Sequence, residues 1–301
     1  MSRDLILFFQ QVINALKIGS VYALVALGYT MVYGIIRLTN FAHGDFIMMG
    51  GYTMLFTMPL MLKVGLPVWC AVFIAIGVCS CVGVTVEQIA YKPVRRSGSS
   101  VSALITAISV SLFIENMALL VVGGSPRSVP RIFKMPNPKF FGQVSVNGNS
   151  LLTIVIGLAV MIALTLFVKS TRAGRAMRAV SEDGQASILM GINLHRIITL
   201  TFAMGSGLAA VASMMYCTAY PQVQPFMGAM LGLKAYVAAV LGGIGIIPGA
   251  MLGGMVIGFV ETMTKAYISS SYADAVVFAI LIVVLLVKPA GILGKNIGEK
   301  V

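Results

Sequence analysis

The stretch Asn40-Phe41-Ala42-His43-Gly44-Asp45 places an amide, an imidazole and a carboxylate close together between two runs that are otherwise apolar. Such groups can exchange hydrogen bonds and protons, and in hydrocarbon each is costly unless it faces a bundle interior or a water-filled path. Asn, His and Gly also suit a broken helix, whose freed backbone groups are tolerated at membrane depth only where they line a cavity. Asn40, Phe41, His43, Gly44 and Asp45 are therefore candidates for the wall or gate of a path. An ordinary interfacial loop is the alternative, since Arg37 marks an aqueous boundary a few residues earlier. Spacing alone leaves the two evenly matched.

A second constellation is made of glycine. Gly242, Gly243 and Gly245 precede Pro248-Gly249, Gly253-Gly254 and Gly258, and the spacings Gly245/Gly249, Gly249/Gly253 and Gly254/Gly258 let helix backbones approach closely. Close packing explains this pattern. So does a discontinuous helix beside a path, in which case Gly242, Gly243 and Gly245 belong to the path or its gate.

The third feature runs from Lys169 to Arg196. Arg172, Arg175 and Arg178 recur every three residues and share one helical face, while Glu182-Asp183 precedes an apolar cluster of Ile188, Leu189, Met190, Ile192 and Leu194. The pattern predicts a short amphipathic hairpin that docks against something, because so apolar a loop would otherwise stay uncovered. A solvated loop, or one binding anionic lipid through its arginines, is the alternative.

Catalysis is poorly supplied. The chain has two His and nine Asp plus Glu, mostly in loops or scattered singly. It carries no Gly-x-x-x-x-Gly-Lys-Ser/Thr nucleotide loop, no Gly-x-Ser-x-Gly elbow and no His-Glu-x-x-His. Cys70, Cys79, Cys81 and Cys217 lie in apolar stretches without His or acid at ligand spacing, and Cys79 and Cys81 point to nearly opposite faces of a helix. We expect no catalytic residue, no metal site, no disulfide framework and no cofactor bound by this chain.

The elements that must hold these groups are membrane spans. Of 301 residues 58% are hydrophobic and 10% charged, against roughly 45–50% and about 25% in soluble domains, and the mean hydropathy is +0.97. This excludes a soluble, disordered or fibrous chain and predicts an all-α fold: a polytopic transmembrane helical bundle with some discontinuous helices, forming a single domain over 1–301. The formal charge is +12, but the bases cluster between apolar runs, as in loops at an anionic membrane face. Lipid, and not nucleic acid, is the expected partner.

A span needs about 20 apolar residues. The runs that qualify are 18–36, 46–62, 64–86, 101–122, 150–168, 249–268 and 273–287, with two more after residue 197 divided at Tyr220-Pro221-Gln222-Val223-Gln224-Pro225. The expected count is roughly nine, between eight and ten, with 5–16 the candidate tenth. That first run is expected to be retained, since no small-x-small cleavage site follows it. The bases Lys92, Arg95 and Arg96, and those between 169 and 196, mark cytoplasmic loops. Parity then places the tail with Lys288, Lys295 and Lys300 inside. It places the loop 123–149, with Arg127, Arg131, Lys134 and Lys139, outside despite its charge.

Taken together, these residues resemble the membrane permeases of bacterial branched-chain amino-acid ABC transporters, the LivH type, nearly end to end. The resemblance is carried by the run from Gly19-Ser20-Val21-Tyr22 to Tyr33-Gly34, by Asn40 to Asp45, and by Tyr91-Lys92-Pro93-Val94-Arg95. Gly174-Arg175-Ala176 with Glu182-Asp183, Ala238 to Gly245 with Pro248-Gly249-Ala250, and Lys288-Pro289-Ala290-Gly291-Ile292-Leu293-Gly294 complete it. It implies a multi-pass permease subunit in the bacterial inner membrane, working with a second homologous permease, two cytoplasmic ATPase subunits that bind ATP, and a periplasmic amino-acid-binding protein. It also implies that 169–196 holds a cytoplasmic coupling loop, in which an acid opens a short helix and a Gly ends it, so that Glu182, Asp183, Ala186, Ile188 and Gly191 meet the ATPase. Permeases for urea and small amides share the Asn-Phe-Ala-His-Gly pattern, which leaves urea as the alternative substrate. An ion-coupled secondary carrier would instead use ionisable groups at mid-membrane, for which Asp45, Glu115 and Glu261 are available. A channel is disfavoured by the lack of a filter sequence.

Overall fold

The computed structural model describes residues 3–97, 100–133, 135–140 and 144–294. Lys134, Lys295 and Lys300, counted above among the loop and tail bases, lie outside them. In chain order the first helices are α1 (Arg3–Ile36), α2 (His43–Val64), α3 (Cys70–Val86), a π turn (Glu87–Tyr91), α4 (Lys92–Ser97), α5 (Ser100–Val122) and α6 (Gly148–Ser170). Then come α7 (Arg172–Glu182), α8 (Gly184–Leu189), α9 (Leu194–Ala219), α10 (Met227–Gly242), α11 (Ile247–Tyr267) and α12 (Ala273–Val287). Eight of the described helical segments are long and apolar enough to cross a membrane, and α10 is a shorter apolar helix. The fold is a polytopic helical bundle.

Two span boundaries differ from the sequence reading. Residues 5–16 form no separate span, because α1 runs unbroken for 34 residues, about 51 Å at the helical rise. No proline divides it at Lys17, which is half-buried and lines a cavity with Glu261 and Lys265. The third span also continues through Glu87 to Arg95. The charge at Glu87 is tolerated because its carboxylate pairs with Arg95 at 3.1 Å and accepts from the Thr199 hydroxyl at 3.0 Å.

The proline-rich break after α9 becomes a strand. β4 (Gln222–Val223) pairs antiparallel with β1 (Arg127–Ser128), Arg127 opposite Val223, while β2 (Lys139–Phe140) pairs with β3 (Val144–Ser145). Central α1 packs against α6, α9, α10 and α11. Small residues permit its approach to α11: Gly254 lies against Ala23 and Gly258 against Gly19, each so close that a Cβ would overlap backbone. By contrast α5, α6 and α12 leave most of their apolar surface uncovered, as lipid-facing helices do.

Candidate functional site

The path of the chain between α1 and α2 sets the depth of the polar stretch. α1 ends before Arg37, a non-glycine residue in the left-handed region at φ 55°, and the following segment turns back into the bundle. The imidazole of His43 occupies the notch left by Gly28, where any Cβ would overlap it, and its ring centroid lies 4.6 Å from that of Tyr29. Gly28 is eight residues before the end of α1, roughly 12 Å along the axis. α2 therefore starts well inside the bundle, and His43, Gly44 and Asp45 form its first turn.

Gly44 makes this position attainable. Its backbone lies directly on Gly228 and Gly232 at the start of α10, so a side chain on any of the three would collide with the facing main chain. α10 has only 16 residues, about 24 Å, so it too begins at depth. Two discontinuous helices thus meet on glycine in the middle of the molecule. Around them stand Tyr29, Phe41 and Tyr236, with ring centroids 6.0 Å apart for Tyr29 and Tyr236 and 6.4 Å for Phe41 and Tyr236.

Asn40, His43 and Asp45 are 2%, 1% and 1% exposed, and several of their polar atoms lack a hydrogen bond of good geometry. Asn40 Oδ1 accepts from the Tyr91 hydroxyl at 2.8 Å. Asn40 Nδ2, Thr30 Oγ1, both ring nitrogens of His43 and both carboxylate oxygens of Asp45 have no hydrogen bond of good geometry, although His43 is turned toward the backbone of Val25 and Asp45 toward Ser111 and Glu115 of α5. A buried polar group left unpaired costs roughly 1–3 kcal/mol. A cluster of this size is suited to binding or hydrating a polar solute when the helices rearrange. It holds no nucleophile with a partnered base, and among the described residues no group of three or more His, Cys, Asp or Glu is placed to share a metal ion.

Gly242, Gly243 and Gly245 are elsewhere. They end α10 and turn the chain into α11, with Gly243 at φ 106° and Gly245 at φ 90°. The terminal Ile292 and Leu293 donate from their N–H groups to the carbonyls of Leu241 and Gly242 at 2.8 and 3.1 Å. A Cβ on Gly243 would lie 2.8 Å from Gly294 N. Gly242 is 10 residues from Gly232, roughly 15 Å along α10 from the contact with Gly44, while Gly245 packs near Gly34 and lines one cavity with Thr30.

The loop from 169 to 196 folds as α7 and α8. Gly174, Met177 and Val180 face inward while Arg172, Arg175 and Arg178 are exposed. Glu182 is the last residue of α7, whereas Asp183 caps α8, its Oδ1 accepting from Gln185 N at 2.8 Å and Ala186 N at 2.9 Å. Gly191 follows at φ 82°, where only glycine is unstrained. Between cap and glycine, Ala186 is exposed, as are Ile188, Leu189 and Met190, at 45%, 88% and 83%.

Sequence reasoning missed the partners of the buried charges. Tyr91 was visible only as part of a motif, and Lys234 was not singled out. The structure pairs Lys234 with Glu261 at 2.9 Å and Tyr91 with Asn40, contacts between residues far apart in the chain.

A family described as the permease component of the branched-chain amino acid transport system matches residues 11–285. The high-affinity branched-chain amino acid transport system permease protein LivH of Escherichia coli (strain K12) is 43% identical over the full length of both chains. BraD of Pseudomonas aeruginosa, of the same description, is 43% identical over 98% of each. A probable LivH of Methanocaldococcus jannaschii is 26% identical over 94% of this chain and 91% of that one. A polytopic bundle with two discontinuous helices meeting at a buried polar stretch, matched over nearly its whole length, places this chain in the family of branched-chain amino acid transport system permease components.

Proposed function

We propose that this chain is the permease subunit through which an importer passes leucine, isoleucine or valine inward across the bacterial inner membrane. It would work beside a second homologous permease, with two cytoplasmic subunits hydrolysing ATP and a periplasmic binding protein delivering the substrate. The observation that carries this reading is the end-to-end identity with LivH and BraD, whose names specify branched-chain amino acids. In it, Asn40, Phe41, His43, Gly44 and Asp45 line or gate the path, supported by the unpaired polar atoms at the meeting of α1, α2 and α10. Gly242, Gly243 and Gly245 belong to the path or its gate at the turn from α10 into α11, supported by the cavity that Gly245 lines with Thr30.

The coupling loop is the second part of the proposal. A subunit without a nucleotide loop must receive force from its ATPase through a rigid, adhesive element, and capped α8 with bare Leu189 and Met190 is suited to that. Met177, Arg178 and Ser181 of α7 line one cavity with Gly245 and Ile247, so α7 lies at the end of the bundle where α10 turns into α11. The segment after α12 packs there too, which supports a cytoplasmic C-terminus.

The test is reconstitution of the chain with its partner subunits in vesicles and measurement of radiolabelled leucine uptake. ATP-dependent uptake is expected. Strong competition by urea would favour the amide alternative, and leucine uptake by the chain without any ATPase would favour an ion-coupled carrier.

A further inference from the structure

A second group of buried charges lies at another level of the bundle. Glu261 of α11 is 2% exposed and accepts from the Tyr22 hydroxyl at 2.6 Å, from Lys234 Nζ of α10 at 2.9 Å and from Lys265 Nζ. Lys234 also pairs with Asp274, at the start of α12, at 2.6 Å. Glu261 is 14 residues from the Ile247 end of α11, roughly 21 Å, so the network sits toward the end of the bundle away from α7 and α8.

A cavity of about 280 Å³ opens on this network. Lys234, Glu261 and Lys265 hold charge of both signs on one wall, and Tyr216, Phe226 and Met230 supply aromatic and thioether surface on the others. A second cavity of about 300 Å³ shares Glu261 and Lys265 and adds Lys17. Stability does not account for the arrangement, since well-packed apolar residues of similar volume commonly hold a protein as firmly as a buried ion pair does. Ionisable groups within a membrane bundle more often mark the route of a polar solute. The Lys265 side chain is 41% exposed, so its ammonium can be reached.

We infer that this cavity is a zwitterion site, reading the α-carboxylate of an amino acid with Lys234 and Lys265 and its α-ammonium with Glu261, while the side chain lies on Tyr216, Phe226 and Met230. Pockets for drug-sized ligands run to roughly 300–1,000 Å³, so a cavity at the lower end of that range suits a smaller molecule. A zwitterion can replace the pairings among these groups on both sides at once, its carboxylate taking the place of Glu261 on the lysines and its ammonium the place of a lysine on Glu261, whereas a ligand with one charge replaces only one side and a neutral amide such as urea offers dipolar hydrogen bonds and no apolar body for the wall. The inference rests on the amino-acid reading above and specifies a place where the permease itself checks the substrate.

The test uses the full permease–ATPase complex in vesicles without binding protein, carrying Met230→Cys in the cavity wall, with labelling by N-ethylmaleimide measured above the parent background. L-Leucine is expected to slow that labelling, whereas 4-methylpentanoate, which lacks the ammonium, and leucinamide, which lacks the carboxylate, are not. Adding Lys265→Met, which leaves the buried Lys234–Glu261 pair intact, should raise the leucine concentration for half-protection about tenfold. Adding Lys234→Met with Glu261→Gln, which leaves no lone buried charge, should abolish protection while the ATPases still co-purify. Absence of leucine protection in the complex carrying Met230→Cys alone, or equal protection by either single-charge analogue, would overturn the site. Leucine uptake without protection would remove this inference and leave the transport function standing; protection without ATP-driven leucine uptake would do the reverse.

Discussion

The hydroxyl of Tyr91 donates a 2.8 Å hydrogen bond to Oδ1 of Asn40, tying the segment that re-enters the bundle after α1 to the π turn that continues α3. Both residues are buried, and the Tyr91 ring lies 5.3 Å from that of Phe202 on α9. The bond therefore fixes the re-entrant segment against two other spans. Tyr91→Phe keeps the ring and removes the donor, leaving Asn40 Oδ1 unpaired at a cost of about 1–3 kcal/mol. A lower Tm in detergent is expected, with membrane insertion unchanged; an unaltered Tm would show that the bond carries no load.

The seat of His43 is Gly28, and this gives a test that leaves His43 itself untouched. A methyl group at residue 28 would occupy the space of the imidazole, so Gly28→Ala must displace either the ring or the helix. If the polar stretch lines or gates the path, Gly28→Ala should depress leucine uptake several-fold at normal protein level, as His43→Leu and Asn40→Leu should. Full uptake in all three variants, with expression matched, would remove the stretch from the path.

Gly243 is constrained twice. Its φ of 106° is one that side chains rarely adopt, and a Cβ would press on Gly294. Strain in such a region costs about 1–3 kcal/mol before any overpacking. Gly243→Leu should therefore reduce assembled protein, measured as the fraction that co-purifies with the partner permease. Wild-type yield and uptake would contradict the close approach of the terminal segment to α10.

How much of this was legible follows from the range of each interaction. Apolar runs and their breakers act locally, so the spans and the division at Tyr220–Pro225 could be read from neighbouring residues, while the opening of α8 by an acid and its ending by a Gly were implied by the resemblance. Lys17 and Glu87 misled because a charge usually ends a run; Lys17 lines a cavity with Glu261 and Lys265, and Glu87 is paired with Arg95 and hydrogen-bonded by Thr199, 112 positions away. The polar stretch was visible as composition, but its depth depends on Gly28 facing His43 and Gly44 facing Gly228, and no local pattern reports which glycines face each other. Glu261 was visible as a lone acid in an apolar run, while its partners Tyr22 and Lys234 come from other helices.

The coupling role proposed for α8 separates from lipid binding by the residues each requires. Lipid binding needs the arginine face of α7, whereas docking on an ATPase needs the cap, the left-handed glycine and the bare apolar tip. Leu189 is 88% exposed, so Leu189→Asp removes no internal packing and should change the stability of the subunit by no more than about 0.5 kcal/mol. Gly191→Val forces a β-branched residue into φ 82° and should distort the end of α8, and Ile188→Asp places a charge beside the tip. Each of the three should abolish ATP-driven uptake and weaken co-purification of the ATPases, while Arg172→Ala with Arg175→Ala and Arg178→Ala should leave both intact. Asp183→Ala removes the one oxygen that accepts both capping hydrogen bonds, worth about 0.5–2 kcal/mol to the helix, and should give an intermediate loss. If uptake follows the arginines and not the tip, α7 is a lipid anchor and the force must enter the bundle elsewhere.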